Sequence, residues 1–250
     1  MSTRHVAIAV AASLLIAAGG TSAQTPGADP NVAAPFGKPV EDRRIFVHGL
    51  LEQFEARVGS GDSFRWDGQA WAGTDTNRLW LKSEGEVTSG TMMDGLHEIL
   101  YDRPITTYFD LQAGVRLDLD SGPARAWGAF GIQGLAPLFF DLEVTGYVRD
   151  AGHFAAQVKG SYDLLLTQRL ILQPEIELNF YSKSDRARGI GPGLSDMDAG
   201  LRLRYEFIRK LAPYIGVAYQ GKFGDTARLA RRQGEGVSDV RFVFGIRSWF

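Results

Sequence analysis

"YFDLQAGVRLDLD", residues 108–120, alternates for twelve positions. Phe109, Leu111, Ala113, Val115, Leu117 and Leu119 are apolar, and Asp110, Gln112, Gly114, Arg116, Asp118 and Asp120 stand between them. A period of two marks a strand with one face in an apolar medium and the other in a polar one. At about 3.3 Å per residue this strand reaches roughly 40 Å, well beyond the usual five or six residues of a soluble sheet.

The pattern recurs along the chain. In "FFDLEVTGYV", Phe140, Leu142, Val144 and Val148 oppose Asp141, Glu143, Thr145 and Tyr147. In "LQPEIELNFY", Leu172, Ile176, Leu178 and Phe180 oppose Gln173, Glu175, Glu177 and Asn179. "DAGLRLRYEF" sets Leu201, Leu203, Tyr205 and Phe207 against Arg202, Arg204 and Glu206, and "LWLKSEGEV" sets Leu79, Leu81 and Val87 against Trp80, Lys82, Glu84 and Glu86. Apolar residues never settle into helical spacing for two turns, so no helix is expected. About twelve strand segments emerge, near residues 44–58, 63–73, 77–88, 93–102, 106–119, 124–134, 138–149, 154–166, 170–182, 196–208, 211–223 and 237–250.

An even number lets both ends of a closed antiparallel sheet lie on one side of a membrane. Connections after even-numbered segments are tight ("DTN", "DRPI", "GLAP", "TQR", "IRK"), whereas two on the opposite side run to "KSDRARGIGPGLSD" and "GDTARLARRQGEG". Short periplasmic turns and longer outer loops fit a transmembrane β-barrel of the outer-membrane type. The bilayer supplies the reason: without water every backbone N–H and C=O needs an internal partner, and only a closed sheet has no open edge. Charges on alternate residues then face the lumen. Trp66, Trp80, Tyr101, Tyr108, Tyr181, Tyr205, Tyr214 and Trp249, near strand ends, are candidates for interfacial girdles.

Composition agrees with export. The chain has 250 residues, 44% of them hydrophobic, a net charge of -2 and no cysteine. That balance implies no nucleic-acid partner, and the missing cysteine excludes disulfides, thiolate metal sites and thiol nucleophiles. "MSTRHVAIAVAASLLIAAGGTSA" places Arg4 before an apolar run from Val6 to Ala18 and then small residues, which reads as a signal peptide over 1–23. Residues 24–42, with four prolines, read as a flexible periplasmic leader ahead of a barrel over 43–250. At the other end, "VRFVFGIRSWF" carries Val240, Phe242, Phe244 and Ile246 at the parity of Phe250. A terminal aromatic closing an alternating strand looks like the signal read by the outer-membrane assembly machinery of Gram-negative bacteria.

Beyond the pattern, "RWDGQAW", "NRLWLKSEGE", "FDLQAGVRLDLDSGPARAW", "GIQGLAPLFFDLEV", "YDLLLTQRLILQPEIELNFYS", "GIGPGLSDMDAGLRLRYEF", "LAPYIGVAY", "FGDTAR" and "GIRSWF" resemble, in order, the copper resistance protein B family. The resemblance implies an outer-membrane protein of copper homeostasis and metal tolerance that binds or passes copper ions beside periplasmic copper proteins. One departure matters. Family members often carry a Met- and His-rich leader, suited to copper, whereas residues 24–42 contain neither residue. After signal cleavage Met92, Met93, Met197, His48, His97 and His153 remain, too few for a high-capacity copper store.

Met92, Met93, His153 and Met197 fall on the outer side and form a candidate copper site at the barrel rim. His97 shares the outward parity of Ile99 and Tyr101, and His48 begins the first strand where alternation is imperfect, so neither is expected in the lumen. The lumen instead collects Glu55, Asp67, Glu84, Glu86, Asp110, Asp118, Asp141, Glu143, Glu175 and Glu177, facing Lys82, Arg116, Arg149, Arg202 and Arg204. A charge network bracing the wall is one reading. A cation path through Glu84, Glu86, Asp110, Asp118, Asp141, Glu143, Glu175 and Glu177 is the other, because carboxylate rings select cations. An enzyme is not expected: a lipid-facing nucleophile needs a His base, and no Ser stands two residues after His97. The alternative to copper is a small passive pore for another cation or small solute.

Overall fold

The computed structural model describes residues 44–250 apart from residue 121. The signal-peptide and leader segments lie outside the described residues. Thirteen strands follow in order: β1 (Phe46–Val58), β2 (Ser63–Gly73), β3 (Arg78–Thr88), β4 (Thr91–Pro104), β5 (Phe109–Asp118), β6 (Arg125–Ala136) and β7 (Phe140–Arg149). Next come β8 (His153–Ser161), β9 (Leu164–Leu165), β10 (Leu170–Tyr181), β11 (Gly193–Tyr205), β12 (Leu211–Lys222), the helix α1 (Gly224–Gln233) and β13 (Ser238–Trp249). β8 and the two-residue β9 both pair with β10, at separate heights, so they share one stave of the wall. The result is twelve antiparallel staves, closed where β13 pairs with β1. Phe250 completes that seam: its N–H donates to Gly49 O at 2.8 Å, and Gly49 N–H donates to Phe250 O at 3.3 Å.

Polarity is inside out. Glu55 and Arg57 are fully buried, whereas Phe242 is 72% exposed. The apolar members of each alternating pair, among them Leu79, Leu81, Ile99, Leu111, Val115 and Phe244, cover the outer surface, as a lipid-facing wall requires. One end of the barrel carries β1's start and Phe250 and is called the terminal end; the other, with the two long connections, is the loop end. The tight hairpin between β3 and β4 uses Ser89 and Gly90, with φ of 51° and 78°, as a two-residue turn matched to strand twist requires.

Three expectations need correction. The imperfect alternation of β1 is a β-bulge: the register shifts between Leu51 and Gln53, so that Gln53 pairs with Asp67 and His48 pairs with Trp71. His48 therefore faces inward at the terminal end, with its ring centroid 6.0 Å from Trp71 and 6.1 Å from Trp249. The aromatic girdle is thinner than expected. Trp80 is buried in the lumen with Leu100, Trp127, Ala129, Tyr147 and Ala155, and Tyr181 packs against this cluster. Tyr214 also points inward and donates its hydroxyl to Glu55 Oε2 at 2.9 Å. Tyr101, Tyr108 and Tyr205 are the exposed ones. Trp66 stands outside but lies flat on the wall, since a Cβ at Gly85 would come 2.5 Å from its ring.

The third correction is α1, at the loop end. Its buried residues are Thr226, Ala227 and Ala230, small groups that leave no apolar stripe for periodicity to detect. Gly234, at φ 76°, ends the helix in the left-handed region. Thr226 Oγ1 accepts from Gly191 N–H at 2.8 Å and lies 3.0 Å from Ser195 Oγ. The helix is thereby tied to the connection between β10 and β11.

Candidate functional site

Inward parity brings charges from strands far apart in sequence into one interior. Around Glu55, Arg202 donates from Nε and Nη2 at 2.9 Å each, and Arg57 donates from Nε at 2.8 Å. Arg57 continues to Asp198 at 2.5 Å, and Arg202 to Glu175 at 3.0 Å. Gly245 makes room for this hub, since a Cβ there would come 2.7 Å from Glu55 Cβ and 2.8 Å from Tyr214 Oη. Further along the lumen Arg65 pairs with Glu177 at 2.7 Å, Arg241 with Glu86 at 2.8 Å, and Arg78 with Asp110 at 2.8 Å.

Two cavities occupy the space that remains. The terminal-end cavity, about 380 Å³, is lined by eight acidic residues (Glu52, Asp67, Glu84, Glu98, Asp141, Glu143, Asp163 and Glu175) and three basic ones (Lys82, Lys159 and Arg247). The loop-end cavity, about 790 Å³, is lined by ten acidic residues and six basic ones. Glu84, Leu96 and Gln157 line both and define a waist. Cross-braces hold it: Lys159 pairs with Glu84, and Gln157 Nε2 donates to Glu84 Oε1 at 3.1 Å and to Glu177 Oε1 at 3.0 Å. Each cavity thus keeps more carboxylates than cations, and the excess is greatest at the terminal end.

All eight carboxylates of the expected path line the interior, but in different states. Glu86, Asp110, Asp118, Glu175 and Glu177 sit in ion pairs with arginines, and Glu84 and Glu143 with Lys159 and Lys82. Asp141 is exposed at the terminal-end mouth and forms no ion pair among the described residues. The rim residues are more scattered. Met93 and Met197 line the loop-end cavity, whereas Met92 and His153 do not, and the strands β4, β8 and β11 that carry them are spread around the wall. His153 Nδ1 lies 2.9 Å from Asp150 O. Among the described residues no three His, Cys, Asp or Glu side chains are placed to hold a metal ion.

Sequence reading missed two groups. Glu98 and Asp102, on the inner face of β4, are buried, and their parity opposite to His97, Ile99 and Tyr101 was the available signal. On the outer face, Ser83 stands directly across from His97. Ser83 Oγ accepts from Trp66 Nε1–H at 3.1 Å and lies 3.0 Å from His97 Nδ1. The three polar groups satisfy one another on a wall that offers them no water. Separation along the chain hid the pair, because cross-strand neighbours have no fixed sequence spacing.

A closed twelve-stave barrel, apolar outside and lined with salt-bridged charges, is a transmembrane β-barrel of the outer-membrane type. Its fold is similar to a solved NanC porin, with a TM-score of 0.53, 12% identity, and coverage of 81% of this chain and 99% of that one. The family profile "Copper resistance protein B precursor (CopB)" matches residues 45–250, and the chain belongs to that family. It is 44% identical over 230 residues to "Copper resistance protein B" of Escherichia coli, covering 90% of this chain and 78% of that one. It is 44% identical over 217 residues to the "Copper resistance protein B homolog" of Pseudomonas syringae pv. tomato (strain ATCC BAA-871 / DC3000), covering 86% and 73%.

Proposed function

We propose that this barrel passes copper ions across the outer membrane through its acidic lumen, as a non-enzymatic member of its family. The observation that carries this reading is the carboxylate excess in both cavities, which draws cations inward and repels anions. Hard oxygen ligands hold copper less tightly than Met or His ligands would, so they suit transit rather than storage. Membership of a copper resistance family supports copper as the cargo. In this reading residues 1–23 direct export, Phe250 serves the assembly machinery, the terminal end of the barrel faces the periplasm, and periplasmic copper proteins exchange the ion there. The rim methionines Met93 and Met197 serve as first contacts for copper at the loop end.

Copper tolerance of cells tests it. Replacing Asp110 and Glu143 by their amides keeps side-chain shape and removes charge, and should reduce tolerance while the barrel still folds. Unchanged tolerance, together with no copper bound by the purified wild type in a titration, would point to a small passive pore for another solute.

A further inference from the structure

We infer that the Lys82 ammonium is the resting occupant of an oxygen-lined cation site in the terminal-end cavity, which a hard divalent cation takes when the lysine swings out. Lys82 Nζ donates to Gln112 Oε1 at 3.0 Å, Gln133 Oε1 at 2.8 Å and Glu143 Oε1 at 2.7 Å. These oxygens come from three consecutive staves, β5, β6 and β7, and surround the nitrogen as they would surround a metal ion.

A second observation points to the same place. Glu98 is directly across from Lys82 in the β3–β4 register and lines the same cavity. It is only 3% exposed, and its Oε1 has no hydrogen-bond partner. Both cations beside it in register are engaged elsewhere. Lys82 turns to the three oxygens, and Arg116 donates to Asp118 Oδ1 at 2.6 Å while its guanidinium lies 4.4 Å from the Tyr147 ring centroid. A buried carboxylate oxygen without a partner calls for an explanation, and an absent cation is one.

Two carboxylates and two amide oxygens make a hard ligand set, suited to an oxygen-seeking divalent ion and poorly suited to Cu(I). Lysine suits the occupant's role because its charge is a point at the end of a flexible four-carbon stem. An incoming ion replaces one ammonium, so the site admits cations in exchange for a tethered one. This inference rests on reading the lumen as a cation path, and places a checkpoint on it.

Mn2+ titration of the refolded barrel is the test, on wild type, Lys82→Met and Lys82→Met with Glu98→Gln. The single variant should bind Mn2+ at least about tenfold more tightly than wild type, and Glu98→Gln should abolish that gain. No gain in Lys82→Met, or a gain that survives Glu98→Gln, would overturn the site. Folding is checked by gel mobility before and after boiling, and Lys82→Gln, which keeps a donor, is read by the same criteria if Lys82→Met does not fold. Cu2+ flux into liposomes separates the two ideas. A Mn2+ gain with no flux in any protein keeps the site and removes the path, whereas flux in wild type without the gain keeps the path and removes the site.

Discussion

Glu55 joins three staves, because Arg57 on its own strand, Arg202 on β11 and Tyr214 on β12 all converge on its two oxygens. Glu55→Gln removes the charge that both arginines face. Arg57 keeps Asp198 and Glu86, and Arg202 keeps Glu175, so the loss should fall at the lower end for a broken buried pair, about 3 kcal/mol. Urea unfolding in lipid vesicles measures it. Gly245→Ala attacks the same hub sterically and should cost about 1–3 kcal/mol, because the new methyl meets Glu55 and Tyr214 rather than lipid. A variant as stable as wild type in either case would show that the hub contributes nothing to closure. None of these partners could be chosen from sequence. Parity placed Glu55, Arg202 and Arg204 inside, but Arg202 is 147 positions from Glu55, and pairing at that distance depends on barrel register.

At the scale of elements, the strands were the most legible feature, since a one-residue slip would turn every charge toward lipid. Legibility failed where that constraint lapses. The bulge in β1 reversed the parity of His48, and α1 buries only small groups. Phe250 belongs to the seam, where it exchanges both backbone hydrogen bonds with Gly49. Deleting it should lower the yield of folded protein in the outer membrane without blocking passage across the inner one, and normal folded yield would remove the assembly role. The long connection between β10 and β11 is anchored differently, by Arg125 on Asp185 and by Arg188 on Asp120. Burial alone would raise the Asp185 pKa, but the Arg125 hydrogen bond and charge, helped by Arg188, bring it below the ordinary carboxylate range. A depressed folded pKa means that this anchorage is complete above the unfolded value of about 3.9 and is lost as pH falls through the lower folded value. Protease protection of residues 182–192 should therefore stay constant from neutral pH down to about 5 and fall only in stronger acid. A loss already complete at pH 6 would contradict this assignment.

The whole molecule is a wall with a polar core, and both of its main properties follow from alternation. Closure leaves no backbone group unpaired in lipid, so the folded barrel should resist detergent and change its gel mobility only on boiling. A soluble periplasmic species would be incompatible with it. The acidic inward face was legible in the sequence, but the extent of its neutralisation was not. Sequence reading could not tell which carboxylates arginine neutralises, nor that both cavities keep a surplus of them. Copper itself came from family resemblance, not from the pattern of strands. The most direct measurement is the reversal potential of the purified barrel in a planar bilayer separating unequal salt concentrations, with Cu2+ then added to one side. An acidic lumen predicts a potential on the cation-selective side and a current carried by Cu2+. An anion-selective potential, or a barrel closed to every cation, would contradict it.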